Sequence, residues 1–279
     1  MLKGADIKPV VVVAPARGAF RVGLPTTASQ LRLVSLLVWR DLRVRYADTA
    51  LGVSWVILQP VLLLLIFHIV FGRIVRVPSD GIPYPVFAFT ALLPWTYISQ
   101  AVSRSGVSLL TDAQLIRKVY FPRLVLPLSA SIGPLADFAV SSAVLAAMMM
   151  WYRLVPSPRI LVLPIFLGFA VLAALAGGIW LAALSARYRD VRHLIPLIVQ
   201  LWLYASPIVY PASLVPERWR VLYDLNPAAV IVEGFRWALL DRNLPHLGAA
   251  IASVFLVAVV LMSGLVYFRN TERTLADVL

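Results

Sequence analysis

Long apolar runs, rather than strict alternation, organise this chain. Six segments, at about 54–71, 86–102, 124–152, 160–184, 194–210 and 247–268, are dominated by Leu, Ile, Val, Phe and Ala with few charges. A helix crosses the hydrocarbon core of a bilayer in about 20 residues and satisfies every backbone polar group within itself. The pattern therefore predicts an all-α polytopic membrane protein with six transmembrane helices. The third run is longer than a span needs and contains Pro127 and Pro134, so its first turns are expected to form a kinked or separate piece.

The intervals between runs carry their own patterns. Residues 31–46 read LRLVSLLVWRDLRVRY, mixing apolar positions with Arg32, Arg40, Arg43 and Arg45. That mixture suits an amphipathic helix in the headgroup layer, with Trp39 and Tyr46 as interfacial anchors. In the interval 104–123, Asp112 is placed to cap a short helix presenting Leu115 and Ile116. The interval 211–246 is too apolar for a solvated loop, with Trp219, Tyr223, Phe235 and Trp237 among its residues. Two short helices dipping back into the membrane or packing over the spans account for it, with Asn226-Pro227 as the turn between them. Residues 1–30 read as a flexible cytoplasmic tail, and no Ser/Gly-rich linker marks a second domain.

Composition supports the bilayer as solvent: 61% of residues are hydrophobic and only 14% charged, against roughly 25% charged in soluble domains. The formal charge of +12 raises the question of nucleic acid, but its distribution answers it. With both termini in the cytoplasm, most Lys and Arg fall in cytoplasmic intervals, as the positive-inside rule requires. The basic charge thus follows from orientation in a cytoplasmic (inner) membrane, with anionic lipids as partners and no nucleic acid.

The chemistry open to such a chain is narrow. It has no cysteine, and His68, His193 and His246 are widely separated, so no metal site is expected. A nucleotide-binding P-loop needs Lys followed by Ser or Thr, whereas Lys3, Lys8 and Lys118 precede Gly4, Pro9 and Val119. Asp137 is the one clear acidic residue within the runs, either a hydrogen-bonded structural group with Ser141 one turn on, or a transport residue. The aromatics have two readings as well. Most suit an interfacial belt, while Trp95, Tyr97, Trp202 and Tyr204 are the best candidates for rungs on which sugar rings stack. Arg40, Arg43 and Arg45 suit either anionic lipids in general or a phosphate or pyrophosphate headgroup, which arginine pairs bidentately.

Five blocks in order resemble one family. They are WRDLRVRYADTALGVSWVILQP at 39–60, FGRIVRVPSDGIPYPVFAFTALLPW at 71–95, LIRKVYFPRLVLPLS at 115–129, ARYRDVRHLIPLIVQ at 186–200 and SPIVYPASLVPERWRVLYDLNP at 206–227. Together they resemble the membrane-spanning subunit of ABC type-2 polysaccharide and polyol phosphate exporters, which serve O-antigen, capsule and teichoic acid export. The resemblance implies one transmembrane domain over 31–279, working as a homodimer with two copies of a cytoplasmic ATPase subunit. ATP and Mg would be used by that partner, with no cofactor and no catalytic residue in this chain. By the same resemblance, 31–46 corresponds to an interface helix. The interval 104–123, with Asp112, Leu115, Ile116 and Lys118, corresponds to the element that couples to the ATPase. The segment 211–246, with Trp219, Tyr223, Asn226 and Pro227, corresponds to the outward gate. The implied cargo is a lipid-linked polysaccharide. Rival readings are an exporter of drugs or small lipids with the same architecture, and an intramembrane enzyme acting on polyprenyl phosphates. The enzyme would need clustered acidic residues, and Asp137 stands nearly alone.

Overall fold

The computed structural model describes residues 28–47, 54–79, 81–119, 121–242 and 246–272. Nearly all of the expected tail 1–30, both termini and the side chain of Tyr46 lie outside the described residues. Among the described residues the fold is helical without strands. Helix α1 is Ala28–Ala47; α2 is Ser54–Phe67, continued by a π-helical stretch His68–Ile74. Then come α3 (Tyr84–Thr111), α4 (Ala113–Lys118), α5 (Val125–Ile132) and α6 (Pro134–Trp151). Helix α7 (Leu163–Arg187) follows a 3-10 turn at Pro158–Val162, and α8 is Val191–Tyr204. The chain ends with α9 (Glu217–Asp224), α10 (Pro227–Leu240) and α11 (Leu247–Glu272).

Four of these segments are long and apolar enough to cross a membrane: Ser54–Ile74, Val125–Trp151, Pro158–Arg187 and Leu247–Glu272. The run at 86–102 lies inside α3, whose 28 residues extend about 42 Å. That helix is long enough but carries Thr90, Thr96, Ser99, Gln100, Ser103 and Arg104, so it is more polar than the other four. The run at 194–210 departs from expectation. Helix α8 stops at Tyr204 after 14 residues, about 21 Å, and residues 205–210 turn instead of extending it. Pro207 explains it: its ring has no N–H to give the Leu203 carbonyl, clashes with that carbonyl, and disfavours helix at Ser206. Arg236, from α10, clasps the resulting turn, donating to the carbonyls of Pro207 at 2.7 Å and Ile208 at 3.1 Å.

Helix α3 is the hub. Its residues from Val86 to Val102 are largely inaccessible, and its neighbours are α5, α6, α7, α8 and α10. Lipid gives helices no hydrophobic reason to associate, so close approach through small residues takes over. Helix α7 supplies these as Ala170, Ala173, Ala174, Gly178, Ala182 and Ala183, all buried. A Cβ on Gly178 would sit 2.6 Å from Cβ of Ser105 on α3, so only glycine permits this crossing. At the next contact the Ser185 hydroxyl donates to the Gly106 carbonyl of α3. This packing carries α3 helically through Arg104 and on to Thr111, so the interval expected to begin at 104 begins at Asp112.

Two apolar clusters result. The larger surrounds α3, α6, α7 and α10. The smaller gathers Val34 and Leu37 of α1, Val125 and Leu126 of α5, Ile179 and Ala183 of α7, and Phe268 of α11. The helix interruption expected in the third run falls at Gly133, where α5 gives way to α6 with Pro134 in its first turn. Exposed rows of Ile57, Leu62, Leu65 and Ile66 on α2, and of Ile251, Val254, Phe255 and Met262 on α11, present apolar surface outward. With these surfaces and its apolar helices, the chain is an integral membrane protein.

Candidate functional site

Helices α3, α7 and α11 each run between the same two ends of the molecule. At one end, residues of α1, α4 and α5 pack against the last turns of α7 and α11. At the other, α10 packs against α3 and α7, and Ser253 near the start of α11 donates to the Asp224 carbonyl that closes α9. Each end holds a cavity, and the two differ in chemistry.

The cavity near the α1 end, about 490 Å³, is walled by α2, α3 and α6 and receives Arg45 from the end of α1. Arg45 donates to Asp137 at 2.7 Å, and Arg104 of α3 stands 3.9 Å from the same carboxylate oxygen. Asp137 is thus a shared counter-ion for two arginines from different helices. Ser141 lies in the same cavity wall. No sequence signal joins Arg45 to Asp137, 92 residues apart. For Arg104 there is a faint one: Gln100, four residues earlier, accepts its hydrogen bond at 3.2 Å on one face of α3.

Beside this cavity, α1 is tied to α4. Arg40 reaches Asp112 at 2.9 Å and its own neighbour Asp41 at 2.8 Å. Partial burial works against the Arg40 charge, but the two carboxylates outweigh it and hold the guanidinium above its ordinary range. Asp112 sits at the N-cap position of α4, yet its side chain makes no capping bond. The expected cap is therefore replaced by an ion pair to another helix. Leu115 and Ile116 are half-buried against the smaller apolar cluster instead of being presented outward. The face that α4 exposes consists of Gln114, Arg117 and Lys118, followed by exposed Val119. Arg43 is exposed and stacks on Trp39 at 5.5 Å. Arg40, Arg43 and Arg45 therefore point to different partners and form no single cluster.

At the opposite end, a cavity of about 740 Å³ lies under α9 and the α9–α10 junction. Trp202, Trp219, Tyr223 and Asn226 line it, together with Tyr210 and Leu256. Asn226 organises this region. Its side-chain oxygen accepts from the Trp202 indole at 2.8 Å and from the Ala228 amide at 3.0 Å, capping α10. Its amide nitrogen donates to Ser206 at 2.9 Å. Pro227 occupies the first turn of α10, where its missing N–H costs nothing. The sequence expectation of two short helices joined at Asn226-Pro227 is met. Behind the cavity, Arg236 is only 4% exposed and its guanidinium lies 3.6 Å from the Phe87 ring centroid. In the sequence Arg236 is one more cation of the interval 211–246, and only its neighbours reveal the clasp.

The four candidate aromatic rungs separate. Trp95 is buried and meets Trp202 edge-on at 5.5 Å. Tyr97 is buried, donates to the Ser131 carbonyl at 3.3 Å and reaches the wall of the cavity near α1. Trp202 lines the other cavity, and Tyr204 is exposed on α8. Within one chain they form no continuous track.

The pattern defining the ABC-2 type transporter family matches residues 32–240, most of the chain. The chain is 28% identical over 249 residues to the O-antigen export system permease protein RfbA of Myxococcus xanthus, covering 88% of this chain and 94% of that protein. It is 27% identical over 249 residues to the protein of the same name from Klebsiella pneumoniae, covering 88% and 95%. It is also 25% identical over 247 residues to the polysialic acid transport protein KpsM of Escherichia coli, covering 87% and 94%.

Proposed function

The chain belongs to the ABC-2 type transporter family, and on that premise we propose that it is the permease subunit of an ATP-driven exporter that moves a lipid-linked polysaccharide across the cytoplasmic membrane. The observation that carries this reading is the agreement of near-full-length relatives on one kind of cargo, O-antigen in one case and polysialic acid in the other. A family transporter of this type is a permease and not itself an enzyme. ATP hydrolysis then belongs to a separate ATPase, two copies of which serve a homodimer of this chain.

In this reading six spans are made by the four long apolar segments together with α3 and α8. In the same reading α9 and α10, which follow the turn after α8, lie over the outer leaflet as the gate. Both termini are cytoplasmic, because this orientation puts α1, α4 and most of the basic residues inside. Helix α1 then lies in the inner headgroup layer, with Trp39, 61% exposed, as its anchor. Helix α4 is the coupling element, its outward face Gln114, Arg117 and Lys118 docking on the ATPase. Asp112, Leu115 and Ile116 hold that helix in place, so a push on α4 reaches α1 through Arg40. Trp202, Tyr204 and Trp219 offer stacking faces to sugar rings near the gate. The remaining residues of the gate are Tyr223, Asn226 and Pro227.

The test is reconstitution. The purified chain is combined with a candidate ATPase in vesicles, and ATP hydrolysis is measured with and without lipid-linked glycan. Stimulation by the glycan with export of label supports the reading. Stimulation by small amphiphiles but never by glycan transfers the assignment to the drug or small-lipid exporter. Turnover of polyprenyl phosphate by the chain alone transfers it to the intramembrane enzyme.

A further inference from the structure

Glu233 is the one acidic residue of α10, a helix otherwise packed on α3 and α7. Val232, Gly234 and Phe235 around it are buried, while Glu233 itself is half-buried. Its cover comes from α9, where the Tyr223 hydroxyl donates to its carboxylate at 3.3 Å. Tyr223 also lines the cavity of about 740 Å³, so this contact joins the helix over the cavity to the frame beside it.

The two helices are seated differently. On α10 the ring of Phe166 from α7 fills the space above Gly234, and Arg236 clasps the turn after α8. On α9, Arg218, Trp219, Arg220 and Leu222 are exposed, and Ser253 of α11 holds the last residue through the Asp224 carbonyl. Of the two, α9 is the movable one.

The bond that holds α9 is soft and works against a charge. An O–H···O bond is usually about 2.5–3.0 Å long, so 3.3 Å is loose. Burial disfavours the ionised form of Glu233 and raises its pKa above the ordinary carboxylate range, and the nearby Asp224 adds like charge. Tyr223, Arg236 and His246 act the other way without cancelling that shift. Burial also pushes the Tyr223 phenol well above its ordinary range, with Glu233 and Tyr210 adding to it, so Tyr223 remains an O–H donor. Moving α9 aside gives the Glu233 carboxylate water. The held state therefore favours protonated Glu233, and the released state favours the ionised form.

We propose that Glu233 is a positioning residue of the outer gate: with Tyr223 it holds α9 over the cavity, while its charge loads that helix for release. The inference rests on the export reading and adds regulation to its gate. Acid at the outer face favours the held state, and loss of the proton favours release. An ordinary structural hydrogen bond suffers from the loss of either partner; here the two partners act in opposite directions.

The test uses the full-length chain in nanodiscs, without ATPase or glycan. The chain has no cysteine. Arg220→Cys on the exposed side of α9 and Leu161→Cys, 84% exposed in the turn before α7, can therefore carry a pair of spin labels. Distance distributions from pulsed EPR give the ratio of held to released α9. Each pKa unit separating the two states changes that ratio tenfold, so acidification from about pH 8 to about pH 5 is expected to raise it about tenfold. Glu233→Gln keeps an acceptor for Tyr223 without the charge. It is expected to raise the ratio by about the same factor and to abolish the pH response. Tyr223→Phe is expected to lower the ratio about tenfold and to keep the response. A wild-type distribution that ignores pH overturns the proposal, and that measurement depends on no variant of the pair. Release of α9 by Glu233→Gln overturns it too, making Glu233 a plain acceptor. A pH response that survives Glu233→Gln transfers the titration to Asp224 or His246 and also overturns it. Glycan export by the wild-type complex with pH-blind distances sinks this inference alone. Distances that follow pH in a chain whose complex exports no glycan sink only the export reading.

Discussion

The two cavities lie at opposite ends of the same helices and are built on opposite principles. Near α1, the walls bring charges from two helices to one carboxylate on a third, and the aromatics are secondary. Near α10, aromatic and aliphatic side chains make the walls, and the polar groups are spent on one another around Asn226. Charge holds a compact anionic group tightly but must be balanced to release it. Apolar aromatic faces hold sugars weakly and without regard to register, as a polymer moving through requires. The difference sets a charge-balanced cavity at one end against an aromatic-walled one at the other.

The comparison can be broken hardest at Arg236. Replacing it with Met removes the donor for the Pro207 and Ile208 carbonyls, leaving buried acceptors unpaired. The expected cost is about 3 kcal/mol, read as a large fall in melting temperature of the detergent-solubilised chain. An unchanged melting temperature would show that the turn after α8 stands without its clasp. The charged end predicts a smaller loss. Arg45→Gln deprives Asp137 of its nearer partner, while Arg104 and the partial exposure soften the effect to about 1–2 kcal/mol. Restoration of stability in the double variant with Asp137→Asn is the diagnostic result; two additive losses would argue against a pair.

Asn226→Ala removes the α10 cap and the Trp202 bond together, with an expected loss of about 1–2 kcal/mol. Trp202 fluorescence should shift as its indole loses its acceptor, and an unmoved spectrum would deny the coupling. Smallest in stability is Arg40→Gln, since the Arg40 side chain is 40% exposed and the pair with Asp112 contributes at most about 1 kcal/mol. Its informative readout is the ratio of glycan exported to ATP hydrolysed. A fall in that ratio at constant stability supports α1 and α4 moving as one piece, and an unchanged ratio removes that link.

What was legible in the sequence follows from how far each signal travels along the chain. The apolar runs at 54–71, 124–152, 160–184 and 247–268 became long helices because a bilayer imposes helix on any such run. The Asn226-Pro227 junction was readable because a cap and a first-turn proline act within two residues. Asp112 shows where local reasoning fails: it stands at the cap position, but Arg40 on another helix claims its side chain. The run at 194–210 ends early for a local reason, Pro207 three residues after Tyr204, and Arg236 from α10 clasps the turn that results.

The sequence by itself determined the solvent, the helical class, the basic end and the family, because each is a sum over many residues or a pattern along neighbouring ones. The tertiary structure alone decided which arginine meets which carboxylate. It made Asp137 a shared counter-ion, withdrew Tyr97 and Trp95 into packing, and turned Leu115 and Ile116 inward. These outcomes depend on Å-scale approach between helices, set by small residues such as Gly178 and Gly106, and no spacing along one chain segment encodes the distance to another.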